Sequence, residues 1–373
     1  MNPAIAAVPG SQIRALNARK TASTIDLGLG QPTLRPGVEQ FERATAWVAE
    51  HGCGYSLTLG DVDLRERIAG HYGYPWLASR ENVCVTTGSQ EALYVTLKTM
   101  LDPALDELLI VEPAFLVYGK IARVEGIAAR TVALDPAEGF AFDAQRILAA
   151  LAPRTRMIVI CSPCNPTGRT ISREAVETIS RALLERPGPP VWVLHDEIYR
   201  ELSYAHDEGY FARRYPHTIS INSLSKSNAL TGLRLGWVMA PAEAIGEISK
   251  MHGWATSCAS TFAQRVAHDV FVREALGEHR AWYAKQRDGA LEAARAAGLE
   301  VVAPDGAFYL FANVGEASMP FAERLLAEHD VVAIPGAIFG ETGATWLRTS
   351  FVAPLERVCE GLRRIRAAMA TPV

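Results

Sequence analysis

Short apolar runs alternate with helical stretches through the middle of the chain. The apolar runs are near-continuous and rich in Val and Ile, which is typical of strands buried on both faces of a sheet. Strands that alternate with helices predict an α/β fold, a mainly parallel sheet with helices on both faces. The predicted strands are 82–87, 107–111, 156–161, 191–195, 218–222 and 235–239, and the predicted helices between them are 89–101, 115–126, 172–185 and 242–255.

The pattern changes after about residue 262. A long helical stretch rich in Ala, Arg and Glu runs through 262–297, and short strands near 308–312 and 331–333 precede a helix near 354–369. This texture predicts a second, smaller α+β domain. We therefore predict a large domain over residues 36–262 and a small domain formed by residues 1–35 together with 263–373.

Composition and charge narrow the classes of function. The chain has 373 residues, with 37 Lys and Arg against 41 Asp and Glu, a formal net charge of −4. This balance gives no electrostatic footprint for nucleic acid. No apolar run approaches the roughly 18 residues of a membrane helix, and the N-terminus lacks the pattern of a secretory signal. Because most cysteines lie in apolar runs, as reduced cysteines do, we expect a cytoplasmic protein.

Two features resemble a metal or redox site and a catalytic dyad, and we interpret both as structural. Cys161 and Cys164 have CxxC spacing, but no second CxxC and no Cys or His partner stands at ligand spacing, so we expect no metal site. His195 precedes Asp196 and could mimic a catalytic dyad. Neighbouring residues of a strand face opposite ways, so we expect His195 to pack behind the site.

Polar or Gly- and Pro-bearing clusters follow the predicted strands. In open α/β sheets, ligands bind beyond the carboxyl ends of the strands, so these clusters are expected to converge. They are residues 88–90, 113–115, 162–166, 196–199 and 223–226.

One part of this set predicts a pocket for a phosphate monoester. Ser89 and Gln90 follow Gly88 at a strand-to-helix junction, where free backbone N–H groups and the helix dipole favour an anion. Ser223 and Ser225 add hydroxyl donors, and Arg234 adds a bidentate cation.

The rest of the set fits an aromatic heterocycle. Asp196 could pair with a ring nitrogen, Asn165 and Tyr199 could donate to a ring hydroxyl, and Phe115 could stack on the ring face. Lys226 lies between serines and is the obvious nucleophile. A phosphate, a basic heterocycle and a lysine together describe pyridoxal 5′-phosphate, bound as a Schiff base with a carboxylate on its pyridinium nitrogen.

The sequence resembles the class I and II pyridoxal-phosphate-dependent aminotransferases, which have the aspartate aminotransferase fold (fold type I). The resemblance runs from about residue 28 to 363. The stretches that carry it are YSLTLG at 55–60 with LR at 64–65, PAFLVY at 113–118, NPTG at 165–168, DEIY at 196–199, SLSKSNALTGLRLG at 223–236 and WLRTSF at 346–351.

The resemblance implies roles for the residues around the cofactor. Lys226 is expected to form the Schiff base and to move the proton of the substrate Cα, while Asp196 keeps the ring nitrogen protonated. Asn165 and Tyr199 are expected to bond the ring oxygen. The phosphate is then held by Ser89, Gln90, Ser223, Ser225 and Arg234.

The resemblance also implies how substrate and a second subunit take part. Arg348 is expected to bind the substrate α-carboxylate as a bidentate fork, with Gly30 and Asn165 lining the same site. The tyrosine at the position of Tyr55 reaches the phosphate of the neighbouring subunit in this family. A homodimer with shared active sites is therefore expected.

The favoured hypothesis is an aminotransferase that moves an amino group from an L-amino acid to a 2-oxo acid by a ping-pong mechanism. The alternative is a lyase or cyclase on the same scaffold, acting by elimination, C–S cleavage or cyclisation of arginine derivatives. The shared motifs bind the cofactor and the α-carboxylate, so they do not choose between these fates. Two departures, Gln31 in place of an acidic residue and Phe115 in place of Tyr, leave the substrate and the role of nearby Arg35 open.

Overall fold

The structure is a computed structural model that describes residues 3–6, 8–10, 12–271 and 273–370. The strands are β1 (Ile25–Asp26), β2 (Val83–Thr86), β3 (Glu107–Glu112), β4 (Ala128–Ala133), β5 (Thr155–Cys161), β6 (Trp192–Asp196), β7 (Thr218–Ser223), β8 (Gly236–Met239), β9 (Glu300–Val302), β10 (Tyr309–Asn313), β11 (Val331–Val332), β12 (Ile334–Pro335) and β13 (Trp346–Ser350). The α-helices are α1 (Pro3–Ala6), α2 (Gln12–Asn17), α3 (Glu39–His51), α4 (Val62–Tyr72), α5 (Ser89–Met100), α6 (Val117–Glu125), α7 (Ala144–Ala149), α8 (Arg173–Glu185), α9 (Ala242–Thr256), α10 (Thr261–Ala267), α11 (Arg273–Ala296), α12 (Ser318–His329) and α13 (Leu355–Met369).

The central sheet has seven strands in the order β2-β8-β7-β6-β5-β3-β4. Pairing is parallel from β7 through to β4, whereas β8 runs antiparallel to both of its neighbours. The predicted mainly parallel sheet is therefore confirmed. Strand β4 was not predicted, because this edge strand is largely exposed and carries Arg130 and Thr131 in place of a continuous apolar run.

Both faces of this sheet are covered by helices, which confirms the predicted fold class. Leu108 and Ile110 of β3 pack in a core with α5, α6 and α9, while Leu109 and Val111 pack in a second core with α7 and α8. Successive residues of a strand point to opposite faces. Burial on both sides therefore explains why these strands read as unbroken apolar runs.

A second sheet lies in the C-terminal part, in the order β12-β13-β10-β9, and all of its pairs are antiparallel. Helices α11, α12 and α13 contribute to the core that covers it. Strand β1 pairs with β11 in parallel, so the segment at Ile25 lies against Val331. The division into domains at residues 36 and 262 stays a prediction.

One predicted element is wrong in its extent. The helical stretch expected over 262–297 is two helices, α10 and α11, and residues 268–270 between them are not helical. Helix α10 packs with α3 through Ala44, Ala263 and Val266. In the part of the chain that the structure describes, no helix has the length and apolar character needed to cross a bilayer.

Candidate active site

A cavity of about 370 Å³ lies beyond the carboxyl ends of the parallel strands, where the polar clusters were predicted to converge. Residues 28–31 and two residues of the second sheet, Tyr309 and Arg348, complete its wall. The predicted site residues that line it are Gly30, Ser89, Gln90, Phe115, Asn165, Asp196, Tyr199, Ser225, Lys226, Arg234 and Arg348.

Lys226 follows β7 and projects into the cavity. Its Nζ donates a hydrogen bond to the Gly30 carbonyl oxygen at 2.5 Å. Removal from water, together with the positive charges of Arg348 and Arg234, lowers the pKa of Lys226 to about 8, although Asp196 acts in the opposite direction. A lysine with this pKa is partly neutral near pH 8 and can act as a nucleophile.

Asp196 ends β6 and is only 3% exposed. The Tyr118 hydroxyl donates to Asp196 Oδ2 at 2.6 Å, and the Ile198 N–H donates to Oδ1 at 3.3 Å. No Lys or Arg among the described residues forms an ion pair with it. Burial raises the pKa of Asp196, while the bonds from Tyr118 and Ile198 oppose that rise.

Arg348 lies on β13 and joins three separate parts of the chain. Its Nη1 donates to Asn165 Oδ1 at 2.9 Å and its Nη2 donates to the Gly28 carbonyl oxygen at 2.8 Å. The guanidinium carbon lies 4.4 Å from the centre of the Tyr309 ring. Because it is only 3% exposed and fixed on several sides, Arg348 is a pre-oriented fork at the cavity wall.

Two tyrosine hydroxyls meet beside the cavity. The Oη atoms of Tyr199 and Tyr309 are 2.8 Å apart and form a hydrogen bond. A Cβ at Gly30 would lie 2.8 Å from the Tyr309 hydroxyl, so only glycine allows this close approach. Sequence reasoning missed Tyr309, since it falls within an apolar strand with no motif to mark it.

At the opposite end of the cavity, the uncapped N-terminus of α5 lies next to the Arg234 guanidinium. Gly88 has φ +80° and leads into α5, and no side chain caps that helix. A Cβ at Gly88 would lie 2.6 Å from Arg234 Nη2, and one at Gly236 would lie 2.6 Å from the Ser89 nitrogen. The glycines therefore let the guanidinium approach the helix N-terminus, an arrangement suited to an anion.

The remaining predicted residues occupy different places. Phe115 lines the cavity, with its ring edge-on to Tyr118 at 5.9 Å between centroids. Ser223 is buried next to the cavity, and its Oγ accepts the Ser225 N–H at 3.1 Å. Tyr55 is 94% exposed and lies outside the cavity of its own chain. Arg35 is also exposed and does not line the cavity.

Of the three residues interpreted as structural, Cys161 lines the cavity, whereas Cys164 and His195 do not. Cys161 and Cys164 are free and buried. Burial raises the pKa of both thiols, that of Cys164 to about 11, so neither is poised as a thiolate. His195 is fully buried outside the cavity, edge-on to Phe211.

Other contributors were also missed. Ile13 and Asn17 of α2 line the cavity, although α2 is far in sequence from every motif. Only tertiary packing brings them there, so no sequence signal marks them. Tyr118 had a signal, because it stands in the PAFLVY stretch at 113–118, but its bond to Asp196 was not foreseen.

Comparisons with known proteins agree with this geometry. The family model for aminotransferase class I and II matches residues 24–365. An aspartate aminotransferase of Pyrococcus horikoshii is 32% identical over 96% of this chain and 94% of its own length. A probable N-acetyl-LL-diaminopimelate aminotransferase of Bacillus subtilis is 32% identical over 98% and 94%.

Solved structures give the same answer. The structure of an aspartate aminotransferase from Thermus thermophilus with maleate has a TM-score of 0.91 and 29% identity, covering 99% of both chains. An aspartate aminotransferase from Thermotoga maritima also has a TM-score of 0.91, at 28% identity over 98% of this chain and 99% of that chain. These relatives confirm the predicted aminotransferase activity, and the chain belongs to the aminotransferase class I and II family.

Proposed function

We propose that this aminotransferase binds pyridoxal 5′-phosphate covalently at Lys226 and moves amino groups between an amino acid and a 2-oxo acid. The observation that carries the proposal is that Lys226 and Asp196 line the same cavity. A nucleophilic amine and a buried carboxylate without a cationic partner are complementary to an aldehyde and a protonated ring nitrogen.

The charges of the cavity wall support this fit. Lys226, Arg234 and Arg348 face a single acidic group, Asp196, among the described lining residues. An excess of positive charge in a desolvated pocket favours anionic ligands. The phosphate of the cofactor and the α-carboxylate of a substrate supply the missing negative charge.

Separate residues would hold the two ends of the cofactor. At the ring, Asp196 would accept from the pyridinium nitrogen, with Asn165 and Tyr199 toward the ring oxygen and Phe115 against the ring face. At the phosphate, the ligands would be Ser89, Gln90, Ser223, Ser225 and Arg234. The bound group supplies an electron-withdrawing ring that accepts the charge developing at the substrate Cα.

Ionised Asp196 is essential to that chemistry. Without a cation its burial raises its pKa, but a positively charged ring nitrogen at the carboxylate would favour the ionised form. The Tyr118 hydroxyl already donates to Oδ2 and holds the carboxylate in place. Tyr118 thus fixes the Asp196 carboxylate, and the ligand would add the positive charge that keeps it ionised.

Arg348 and Lys226 act on the substrate. Arg348 would orient the α-carboxylate, because Asn165 and Gly28 already fix its guanidinium. The Lys226 amine would be the base that takes the proton from the substrate Cα and returns it. Its lowered pKa keeps a neutral fraction available for that step.

We also propose that the active unit is a homodimer. Tyr55, Leu57 and Trp254 are large apolar side chains that are 94%, 60% and 89% exposed. A Cβ at Gly253 would lie 3.2 Å from Thr58 Cγ2, so residues 55–58 and the end of α9 adjoin. Large exposed apolar side chains on adjoining segments are typical of an interaction surface. A second copy on it would direct Tyr55 away from its own cavity and toward the partner's.

Half-reactions test the proposed chemistry. The purified protein is loaded with pyridoxal 5′-phosphate, and its visible absorbance is followed while single amino acids and then 2-oxo acids are added. The proposal expects an amino acid to remove the absorbance band of the loaded protein and a 2-oxo acid to restore it. Release of ammonia with no need for an acceptor would contradict transamination.

Subunit mixing tests the shared site. Tyr55→Ala and Lys226→Ala chains are each expected to be inactive or weak alone, but their mixed dimer would contain one site with Lys226 from one chain and Tyr55 from the other. The proposal expects mixing after reversible dissociation to raise activity above that of either parent. No gain on mixing, with mixed dimers shown by mass, would contradict it.

A further inference from the structure

Glu91 stands in the first turn of α5, next to the anion end of the cavity. A carboxylate at the third helical position often reaches back to the helix N-terminus, where the free N–H groups and the dipole attract it. Ser89 and Gln90, the first two residues of α5, line the cavity, and their N–H groups belong to the same free helix end. A freely moving Glu91 would therefore compete with a phosphate for them and repel it.

The structure holds the Glu91 carboxylate between the Thr87 N–H, one residue before the N-cap Gly88, and the end of α9. Oε1 accepts hydrogen bonds from His252 Nδ1 at 2.8 Å and from the Thr256 hydroxyl at 3.0 Å, both at the end of α9. Oε2 accepts the Thr87 N–H at 2.5 Å. Burial alone would raise the pKa of Glu91, but the bonds from His252 and Thr87 outweigh it, so its pKa lies below the usual range. The carboxylate is ionised, and among the described residues neither the Ser89 N–H nor the Gln90 N–H donates to it.

His252 is poorly explained by packing alone. Its side chain is fully buried, and its Nε2 has no hydrogen-bond partner among the described residues. Helix α9 already packs on the sheet through Ile245 and Ile248. Burying a polar ring with one unsatisfied nitrogen carries a free-energy cost, which points to a specific purpose for its bond to Glu91.

Resting on the proposed function, we propose that His252 and Glu91 form a positioning pair for the cofactor phosphate. His252 keeps the Glu91 carboxylate turned back to Thr87, so that the N–H groups of α5 and the guanidinium of Arg234 stay available. Neither residue lines the cavity. The pair acts through the helix N-terminus and through charge.

Comparison of two ligands tests the pair. The full chain, freed of cofactor, is titrated with pyridoxal 5′-phosphate and with pyridoxal, which lacks the phosphate. His252→Leu is expected to weaken binding of the phosphorylated ligand about tenfold, the loss of one hydrogen bond to a charged group. Pyridoxal affinity should change by less than about twofold, since pyridoxal makes no phosphate contact.

Matched variants separate positioning from general damage. His252→Asn keeps a donor near the position of Nδ1 and should recover most of the affinity. Glu247→Gln breaks an exposed ion pair with Lys250, 2.7 Å long, on the same helix and should leave both affinities unchanged. In the Glu91→Ala background the His252→Leu substitution should cost less than about twofold, because the competing carboxylate is gone.

Different outcomes would contradict the positioning pair and the proposed cofactor site. Equal losses for both ligands, or additive losses for Glu91→Ala and His252→Leu, would overturn the positioning pair. A native chain that does not prefer the phosphorylated ligand over pyridoxal would instead overturn the proposed cofactor site. If His252→Leu does not fold, two other variants still decide. The proposal requires His252→Asn to bind pyridoxal 5′-phosphate with nearly native affinity. It also requires Glu91→Ala to keep its preference for the phosphorylated ligand.

Discussion

Asp196 and Glu197 are adjacent, buried carboxylates whose surroundings are opposite in kind. Asp196 lines the cavity, with a hydroxyl donor but no ion pair among the described residues, and burial raises its pKa. Glu197 lies outside the cavity, with Arg200 Nη1 3.3 Å and His195 Nδ1 3.2 Å from its oxygens. Burial would raise the pKa of Glu197, but His195 and Arg200 outweigh it and bring it to about 2.

The difference shows how the fold assigns roles to neighbouring acids. Glu197 has a cationic partner within the chain, Arg200, which also lies over the Tyr210 ring at 4.2 Å in the segment that follows β6. Asp196 has no cationic partner among the described residues. A buried carboxylate that pairs with a cation of its own chain supports the structure, and one without such a partner is available to a positively charged ligand.

The largest expected effect is on catalysis at Asp196. Asp196→Asn would remove the charge that we propose stabilises a protonated cofactor ring, so we expect the half-reaction rate to fall by about 10³-fold or more. The stability of the cofactor-free variant should be unchanged or higher, because a buried unpaired carboxylate has been removed. Stopped-flow absorbance and thermal unfolding measure the two quantities. A rate within tenfold of the native enzyme would contradict the assignment.

Glu197 should show the reverse pattern. Glu197→Gln removes the nearer of the two carboxylates that pair with Arg200 and leaves Glu201 Oε1 at 3.7 Å from its Nε, so we expect the free energy of unfolding to fall by about 2 kcal/mol. The rate per folded, cofactor-loaded molecule should stay within about fivefold of native. Glu177→Gln, which breaks an exposed pair with Arg214 at 3.0 Å, is the control and should cost less than about 1 kcal/mol. Denaturant titration distinguishes them.

The two acids should differ in their effect on the pH dependence of cofactor attachment at Lys226. The neutral amine is the reactive form and increases as pH rises through its pKa of about 8, so the rate of cofactor attachment should rise about tenfold per unit below pH 8 and level off above it. Asp196 raises the Lys226 pKa by its charge, so Asp196→Asn should move the midpoint to lower pH. Glu197→Gln should leave it in place. A midpoint above pH 10 would show that Lys226 is not desolvated.

The smallest effect is expected at the donor to Asp196. Tyr118→Phe removes one hydrogen bond and leaves the carboxylate, so we expect about a fivefold loss of rate, equivalent to ~1 kcal/mol. The loss should disappear in the Asp196→Asn background, because the two residues act together. Equal losses in both backgrounds would mean that Tyr118 contributes packing and not support of the charge.

The sequence predicted what strands β5, β6 and β7 carry to the sheet edge. Their unbroken apolar runs place Asn165, Asp196 and Lys226 at one edge by topology alone. Arg348 was predicted from the resemblance at 346–351, although its contact with Gly28 spans most of the chain. The fold and the charged groups of the site were thus largely readable from local pattern.

Contacts made over long sequence distances were not readable. Ile13 and Tyr309 reach the cavity through tertiary packing, and nothing in their own neighbourhoods marks them. Edge strand β4 lacked a signal because it is largely exposed and has no continuous apolar run, and the break between α10 and α11 lies within a stretch of helix-favouring composition. Helices α3, α4, α7 and α12 were also not predicted.

Mass analysis after reduction tests the central claim most directly. The protein is incubated with pyridoxal 5′-phosphate, reduced with borohydride, digested and sequenced by mass spectrometry. The account predicts a single reduced cofactor adduct on the peptide that contains Lys226, and none in Lys226→Ala under the same conditions. An adduct on another lysine of the native chain, or one that persists in Lys226→Ala, would contradict it.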